Sequence, residues 1–324
     1  MSRAIKIINE TIKNLNVSIK EKIVLTEVGS DNYLFTPIIA SLCGASKVYA
    51  LAKDSKYGKA DEIINKCKVI CKQFELNNII FLQNELDITV LQEADIITNS
   101  GNLRPLDKDK LKFLKPSAVI PLMFEAWEIR QEDIDLEYCK KNKIRVAGTW
   151  ENHPSIKVFD YCGLLGMKMA MDAGFEIAGN RIVMWSDDEF GEVISKKFTI
   201  ENAEVIHTTD LKIFYEVIKE IDFVFIADYD EQRNYFGDGG IFDWDKIKKI
   251  NPDVYFIHLY GNLDYKYCCE NQINISPKKN GRAMVMTHTL SYIGLIPILK
   301  LQVAGFKVAQ ELIHNNITSI TQIL

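Results

Sequence analysis

Trp127 stands among Glu125, Glu128 and Arg130 in the segment FEAWEIRQED, residues 124–133. An aromatic wall flanked by charges of both signs would grip a small polar molecule. The same residues would equally serve as the start of a surface helix, with Trp127 packed on a neighbour. Trp150, Glu151, Asn152 and His153 form a second cluster, in which a histidine before Pro154 either caps a helix or lines a cleft. Asn99, Ser100 and Gly101 form a polar turn after an apolar run, either as a ligand loop or as a plain turn. His207 and His258 each end an apolar run, where histidine is more often structural. His153, His258 and His288 come from three separate loops, too loose a pattern for metal ligands, and no metal is expected. TEVGSDN (26–32), with Asp54 after the next apolar run, has the outline of a nucleoside site of the S-adenosylmethionine type. A strand-to-helix turn capped by Asp31 or Asn32 accounts for it as well.

The seven cysteines are scattered, and an odd number without a secretory leader points to reduced thiols and a cytoplasmic protein. Cys67 and Cys71 lie one helical turn apart, but no matching ligand pair is near them in sequence. A net charge of -5 with no lysine/arginine block gives no footprint for nucleic acid. No apolar run reaches the length of a membrane span. Loops rich in polar and aromatic residues favour a small-molecule enzyme, with a non-redox enzyme or ligand-binding protein as the alternative and a structural or interaction subunit as a weaker third class.

The elements that must position these residues alternate along the chain. KIVLTEV, KVYALA, NIIFLQ, ADIITN, AVIPLM and IRVAGT are short apolar runs separated by helical patterns. That alternation predicts an α/β fold whose parallel sheet has helices on both faces. Ligands in such sheets bind beyond the strands' carboxyl ends, which selects the loops after Glu27, Asn99, Met123 and Thr149. WENHPSIKVFDYCGLLGMKMAMDAG (150–174) reads as a long connecting helix closed by Gly174. A second alternation follows: RIVMW, EVIH, DFVFIA and VYFIHL. A last apolar helix, about 292–313 and kinked at Pro297, has no strand after it and should pack on the first domain. The division expected is residues 1–151 plus 290–324 for one Rossmann-like domain and 152–289 for a second, inserted in it, with a cleft between them.

With the sheets placed, residues 94–313 resemble the D-isomer-specific 2-hydroxyacid dehydrogenases. Asp133-Ile134-Asp135-Leu136 and Ile144-Arg145-Val146 are similar to the end of that family's substrate domain. AGNRIVMWSDDEFGEVI stands at its glycine-rich loop, DWDKIKKINPDVYFIHLYGN at its "I-N-x-A-R-G" passage, and MVMTHTLSYIGLIPILK at its "T-P-H-x-A-G" turn. The resemblance implies NAD or NADP on the second domain, a small 2-oxo or 2-hydroxy acid as substrate, a homodimer, and backbone donors at Asn99–Gly101 for the substrate carboxylate. It assigns the acid/base role to His288 and places Tyr260 and Asn262 beside the cofactor. The family arginine would fall at Gly261 or Asn262, and the family glutamate near Asn274 or Ser276. Neither is present, so Arg130 or Arg104 would have to hold the carboxylate, with Glu125 as the added acid.

The three glycine positions of the cofactor loop read Ser186, Asp188 and Gly191. The second glycine normally lets backbone approach the pyrophosphate. Asp188 there, between Asp187 and Glu189 and joined by Asp228, Asp230 and Glu231 from the next loop, predicts weak binding of NAD. His288 is expected to face the cleft.

Overall fold

A computed structural model describes residues 2–229 and 233–324; Asp230 and Glu231 of the acidic rim lie outside the described residues. The chain divides into two compact units, Met1–Val158 with Gly294–Leu324, and Phe159–Ile293.

The first unit opens with α1 (Ser2–Leu15), whose Ala4, Ile5, Ile8 and Leu15 are buried. Then follow β1 (Ile23–Glu27), α2 (Thr36–Leu42), β2 (Lys47–Ala52), α3 (Ala60–Gln73), β3 (Ile79–Gln83) and α4 (Ile88–Glu93). After them come β4 (Ile96–Ile97), α5 (Lys108–Leu111), β5 (Val119–Pro121), α6 (Leu136–Lys141) and β6 (Arg145–Thr149). The second unit holds α7 (Tyr161–Asp172), β7 (Arg181–Trp185), α8 (Glu189–Ile200), β8 (Glu204–His207), α9 (Leu211–Val217) and β9 (Phe223–Ile226). It continues with α10 (Trp244–Ile250), β10 (Tyr255–His258), α11 (Tyr265–Glu270) and β11 (Asn274–Ser276). The chain returns to the first unit with α12 (Ile296–His314) and β12 (Thr321–Ile323).

Both sheets are built from the apolar runs. In the first, the order is β12-β6-β5-β4-β1-β2-β3. Val24, Leu25, Val48, Ala50 and Leu51 have no exposed surface, as strands covered on both faces require. The chain moves outward from β1 to β2 and β3, then returns to the other side of β1 to lay down β4. Crossovers of one hand therefore put their helices on opposite faces, and a crevice opens at the carboxyl ends of β1 and β4. In the second sheet, ordered β11-β10-β9-β7-β8, the same reversal falls between β7 and β9. Its core is aromatic: Trp185, Phe214, Phe236, Phe242 and Phe256 are buried, with Phe242 ring-packed on each of the other four.

Three expectations need correction. The segment before α7 is not helical: Val158 N–H donates to Glu151 O and Ile156 N–H to His153 O, so 151–158 is a chain of turns around Pro154. Only the last part of that stretch, α7, is a helix, and Gly174 closes it at φ +93°. The last helix starts at Ile296, which puts Pro297 in its first turn where no N–H is needed; there it starts the helix and makes no kink. A strand does follow that helix: β12 pairs antiparallel with β6, Thr321 opposite Thr149. Three residues are too few for alternation to reveal them. The helix α12 packs on α1, α2, β5 and β6, within its own unit. Among the described residues no helix is long and apolar enough to cross a membrane.

Gly148 in β6 fixes how closely the loop after β5 can approach. A Cβ there would lie 2.5 Å from the backbone N of Ala126 and 2.7 Å from its Cα. Backbone cannot rotate aside, so Gly148→Ala should lower stability by roughly 1–3 kcal/mol, read as a drop in the urea midpoint. An unchanged midpoint would show that residues 125–128 are not held against β6.

Candidate functional site

Each sheet has one reversal point, and each carries buried charge. In the first unit β1 delivers Thr26 and Glu27 to its carboxyl end, and β4 delivers Thr98, Asn99 and Ser100. All five are buried. Thr26, Thr98 and Ser100 form a hydroxyl chain with 2.8 Å spacings. Glu27 Oε2 accepts the backbone N–H of Asn102 at 2.9 Å. Burial pushes the Glu27 carboxyl above its usual range, opposed by that bond and by the charge of Arg104.

Arg104 is held by the same loop. Its Nε–H donates to Asn99 Oδ1 and O, both at 3.1 Å, and its Nη2 donates to Asn99 O at 2.8 Å. Nη1 lies 3.1 Å from Asp133 Oδ2, and the ring of Phe124 sits 5.2 Å from the guanidinium carbon. Arg130 donates to the same Asp133 oxygen from Nε and Nη2, at 2.9 and 2.7 Å. Two guanidinium groups thus share one buried carboxylate, and the cluster keeps a net positive charge. Further N–H groups of the Arg104 fork remain for a ligand. Asn99 Nδ2 is buried without an acceptor among the described residues, and the backbone N–H groups of Ser100 and Gly101 likewise have none there. The fold brings Asn99, Ser100, Gly101 and Arg130 together around Arg104 and Glu27.

Glu125, Trp150 and His153 form a different group in this unit. Glu125 is buried and caps the short helical turn Ala126–Glu128, reciprocated by Glu128. It also accepts the backbone N–H of Glu151 at 2.7 Å and the side-chain amide of Gln322. Burial, with Glu128 and Glu125 beside it, holds Glu151 well above the usual carboxyl range. His153 accepts from Ser155 N–H through Nδ1, pairs through Nε2 with Ser319 Oγ at 3.1 Å, and meets the Trp150 ring edge-on. These contacts join the loops to the C-terminal segment. Trp127 is 42% exposed. Asp54 accepts the Ala60 N–H at the start of α3, so it acts there as a helix cap.

In the second unit β7 ends at Trp185 and α8 begins at Glu189. Gly191 has the close approach a third glycine provides: a Cβ would sit 2.3 Å from Ser186 Cβ and Oγ. Asp188 is the helix cap. Its Oδ1 accepts the N–H groups of Phe190 at 2.8 Å and Gly191 at 3.4 Å, and its Oδ2 accepts Tyr229 N–H at 2.7 Å. Arg233 bridges Asp187 at 2.8 Å and Asp228 at 2.9 Å, and Tyr235 donates to the same Asp228 oxygen at 2.8 Å. Asp187, Asp188 and Asp228 lie within metal-ligand reach of one another, but Arg233 already supplies the positive charge. Phe190 packs on Tyr260 at 4.7 Å and on Tyr229 at 5.9 Å. Asn262 accepts from Ala283 N–H.

His288 stacks on Tyr292 at 4.1 Å, and Tyr292 donates to Asp172 at 2.6 Å. Burial and Lys279 lower the His288 pKa, against the pull of Asp172. His258 is wholly buried, its Nε2 3.1 Å from Pro277 O, and burial takes its pKa down to about 4.

No model of a known protein family matches the sequence, and no curated protein does. Solved structures match over most of the chain. One component of dipicolinate synthase from Bacillus halodurans aligns with TM-score 0.53 and 13% identity over 93% of this chain and 99% of that one. Its counterpart in the dipicolinate synthase of Bacillus subtilis gives 0.52 and 15%, over 93% and 97%. NAD-dependent formate dehydrogenase from Staphylococcus aureus, in complex with NAD, gives 0.50 and 12%, over 86% and 99%. The chain has the 2-hydroxyacid dehydrogenase fold.

That fold implies a dinucleotide at the start of α8, so the fit of its pyrophosphate can be examined there. A pyrophosphate needs the helix's first N–H groups and a backbone free of side chain. Here the Asp188 carboxylate takes those N–H groups itself, and Asp187 adds a second negative charge. The residues present do not fit a pyrophosphate in that pose. What the sequence suggests is charge repulsion; what the geometry adds is that the anion position is filled from within. Asp133, Arg233 and Tyr235 also hold these clusters, and sequence reasoning misses them as site groups. Their only signal is a charged or polar residue two to seven positions from another.

Asp188→Gly should remove the cap, costing about 1 kcal/mol, while raising NADH affinity over a wild type that binds more weakly than micromolar. Micromolar NADH binding by the wild type in calorimetry would contradict the filled-anion reading. His258 binds its proton at about 4 when folded and near 6.5 when unfolded. The unfolded chain therefore takes up more protons between these values, and stability falls as pH drops through that window, by about 2 kcal/mol from pH 7 to pH 5. His258→Asn should flatten that dependence in urea melts, and parallel profiles would refute the assignment.

Proposed function

We propose that the protein is a small-molecule enzyme that binds a small carboxylic acid at the carboxyl edge of the first unit's sheet, and that it works without a nicotinamide cofactor held in the usual pose. The observation that carries this reading is the Asn99–Arg104 loop. It combines N–H donors at Ser100 and Gly101, a buried amide donor at Asn99 and a guanidinium fork backed by Phe124. Planar, charge-assisted donors of this kind match a carboxylate. His288, in the second unit, is the acid/base group that the resemblance names, and burial and Lys279 lower its pKa.

A second reading is the oxidoreductase that the fold's NAD-dependent members exemplify. The tight approach at Gly191 supports it, because that feature of the cofactor loop is retained. The filled cap at Asp188 speaks against it.

The test uses pyruvate and the two lactates as probes of the intact protein by NMR. Backbone amide signals of Ser100 and Gly101 should move on titration. Arg104→Lys keeps the charge and loses the fork, and should weaken the binding about tenfold or more, a change of about 1.4 kcal/mol. If no carboxylate moves those two amides, the reading fails.

A further inference from the structure

Glu27 has a place in the first unit that binding a carboxylate does not explain. It ends the one apolar strand that carries a carboxyl into the reversal point, and 7% of its surface is exposed. One oxygen, Oε2, accepts Asn102 N–H. The other, Oε1, has no donor among the described residues. Glycines flank the group on both sides. A Cβ at Gly29 would stand 3.7 Å from Oε1, and one at Gly101 would stand 3.2 Å from Oε2. At those two positions no side chain stands over the carboxyl. Asn102 secures the arrangement, its side-chain amide donating to Val28 O and Leu51 O at 3.2 Å.

Arg104 is close enough for its charge to act on Glu27, yet its ion pair is with Asp133. Two opposite charges thus stand on one sheet edge without neutralising each other. Each has hydrogen-bonding capacity left, the fork on one side and Oε1 on the other. A ligand that joins them would carry an anionic and a cationic group.

We propose that the first unit's site takes an α-amino acid, its carboxylate on Arg104 and the Ser100–Gly101 N–H groups and its ammonium on Glu27. This rests on the carboxylate reading above and names the substrate class of that site. A 2-hydroxy acid could donate to Oε1 as well. An ammonium, unlike a hydroxyl, brings a positive charge to a carboxyl whose pKa burial raises above its usual range. The preference for an amino acid over its hydroxy counterpart is thus electrostatic and resides in one residue.

The experiment titrates the full-length protein with a panel of amino acids, each matched with its 2-hydroxy analogue and its N-acetyl derivative, read by saturation-transfer NMR and amide shifts of Ser100 and Gly101. At least one amino acid should bind tenfold or more tightly than both matched compounds. Glu27→Gln, nearly isosteric, should abolish that preference, amino-acid affinity falling tenfold or more to that of the hydroxy analogue. The ligand-side comparison stands even if Glu27→Gln does not fold. Equal affinity across matched compounds, or an amino-acid preference that survives Glu27→Gln, overturns the inference. If hydroxy acids bind in an Arg104-dependent way and amino acids bind no better, only the substrate class falls; if nothing in the panel moves the two amides, the carboxylate reading falls with it.

Discussion

A charge taken out of water at the end of a parallel sheet needs a counter-charge, hydrogen bonds or a proton, because an isolated buried ion costs several kcal/mol. Both sheets of this protein bring carboxyl groups into that position, and they meet the requirement in opposite ways. In the second unit, Asp188 has backbone N–H groups from two elements, and Asp187 and Asp228 share Arg233. The charges there are satisfied within the unit. In the first unit, Asp133 is more than satisfied by Arg104 and Arg130, while Glu27 has a single N–H from Asn102. What is left over is a positive fork and a half-bonded carboxyl on the same edge.

The surrounding structure follows from these arrangements. Arg104 is held near the Phe124 ring, with Asn99 accepting from its Nε. Phe124 in turn leads into Glu125, whose carboxylate ties the turn at 126–128 to Glu151 and to Gln322 of β12. Gly148 lets that turn press against β6. The C-terminal strand therefore contributes to how the loop after β5 is held, though it contributes nothing to the charge cluster itself. Glu125 and His153 also join loops, through the cap at 126–128 and the bonds to Ser155 and Ser319.

Much of this is legible in the sequence and some is not, for physical reasons. Apolar runs locate β1 to β10 and miss β11 and β12 at the sheet edges, since burial on both faces leaves an unbroken hydrophobic signature. The antiparallel β12 escapes because it is three residues long and one of its residues is exposed. The turns at 151–158 look helical because helix and turn share the same cap-forming residues. Gathering Asn99, Ser100, Gly101 and Arg130 at one edge follows from strand order. The role of Asp133 does not, because two arginines converging on one oxygen is a tertiary fact that spacing cannot convey. Asp188 is readable as a misfit for a phosphate; that it turns its own carboxylate into the helix is not, since an aspartate at that point faces solvent, ligand or helix with equal plausibility from sequence.

The filled cap also bears on what the start of α8 can hold. Hydrogen bonds to a charged acceptor contribute roughly 1.5–3 kcal/mol each, so a ligand anion displacing Asp188 would largely exchange one set for another and then leave that carboxylate to be accommodated elsewhere. A unit whose anion site is open gains stability when its ligand binds. One whose site is closed by its own side chain holds that stability already, at the cost of affinity. The aromatic packing of Phe190 with Tyr229 and Tyr260 beside the cap reinforces the closed state. In the first unit, by contrast, a buried carboxyl and a partly buried guanidinium stand at the same strand ends with their bonding incomplete.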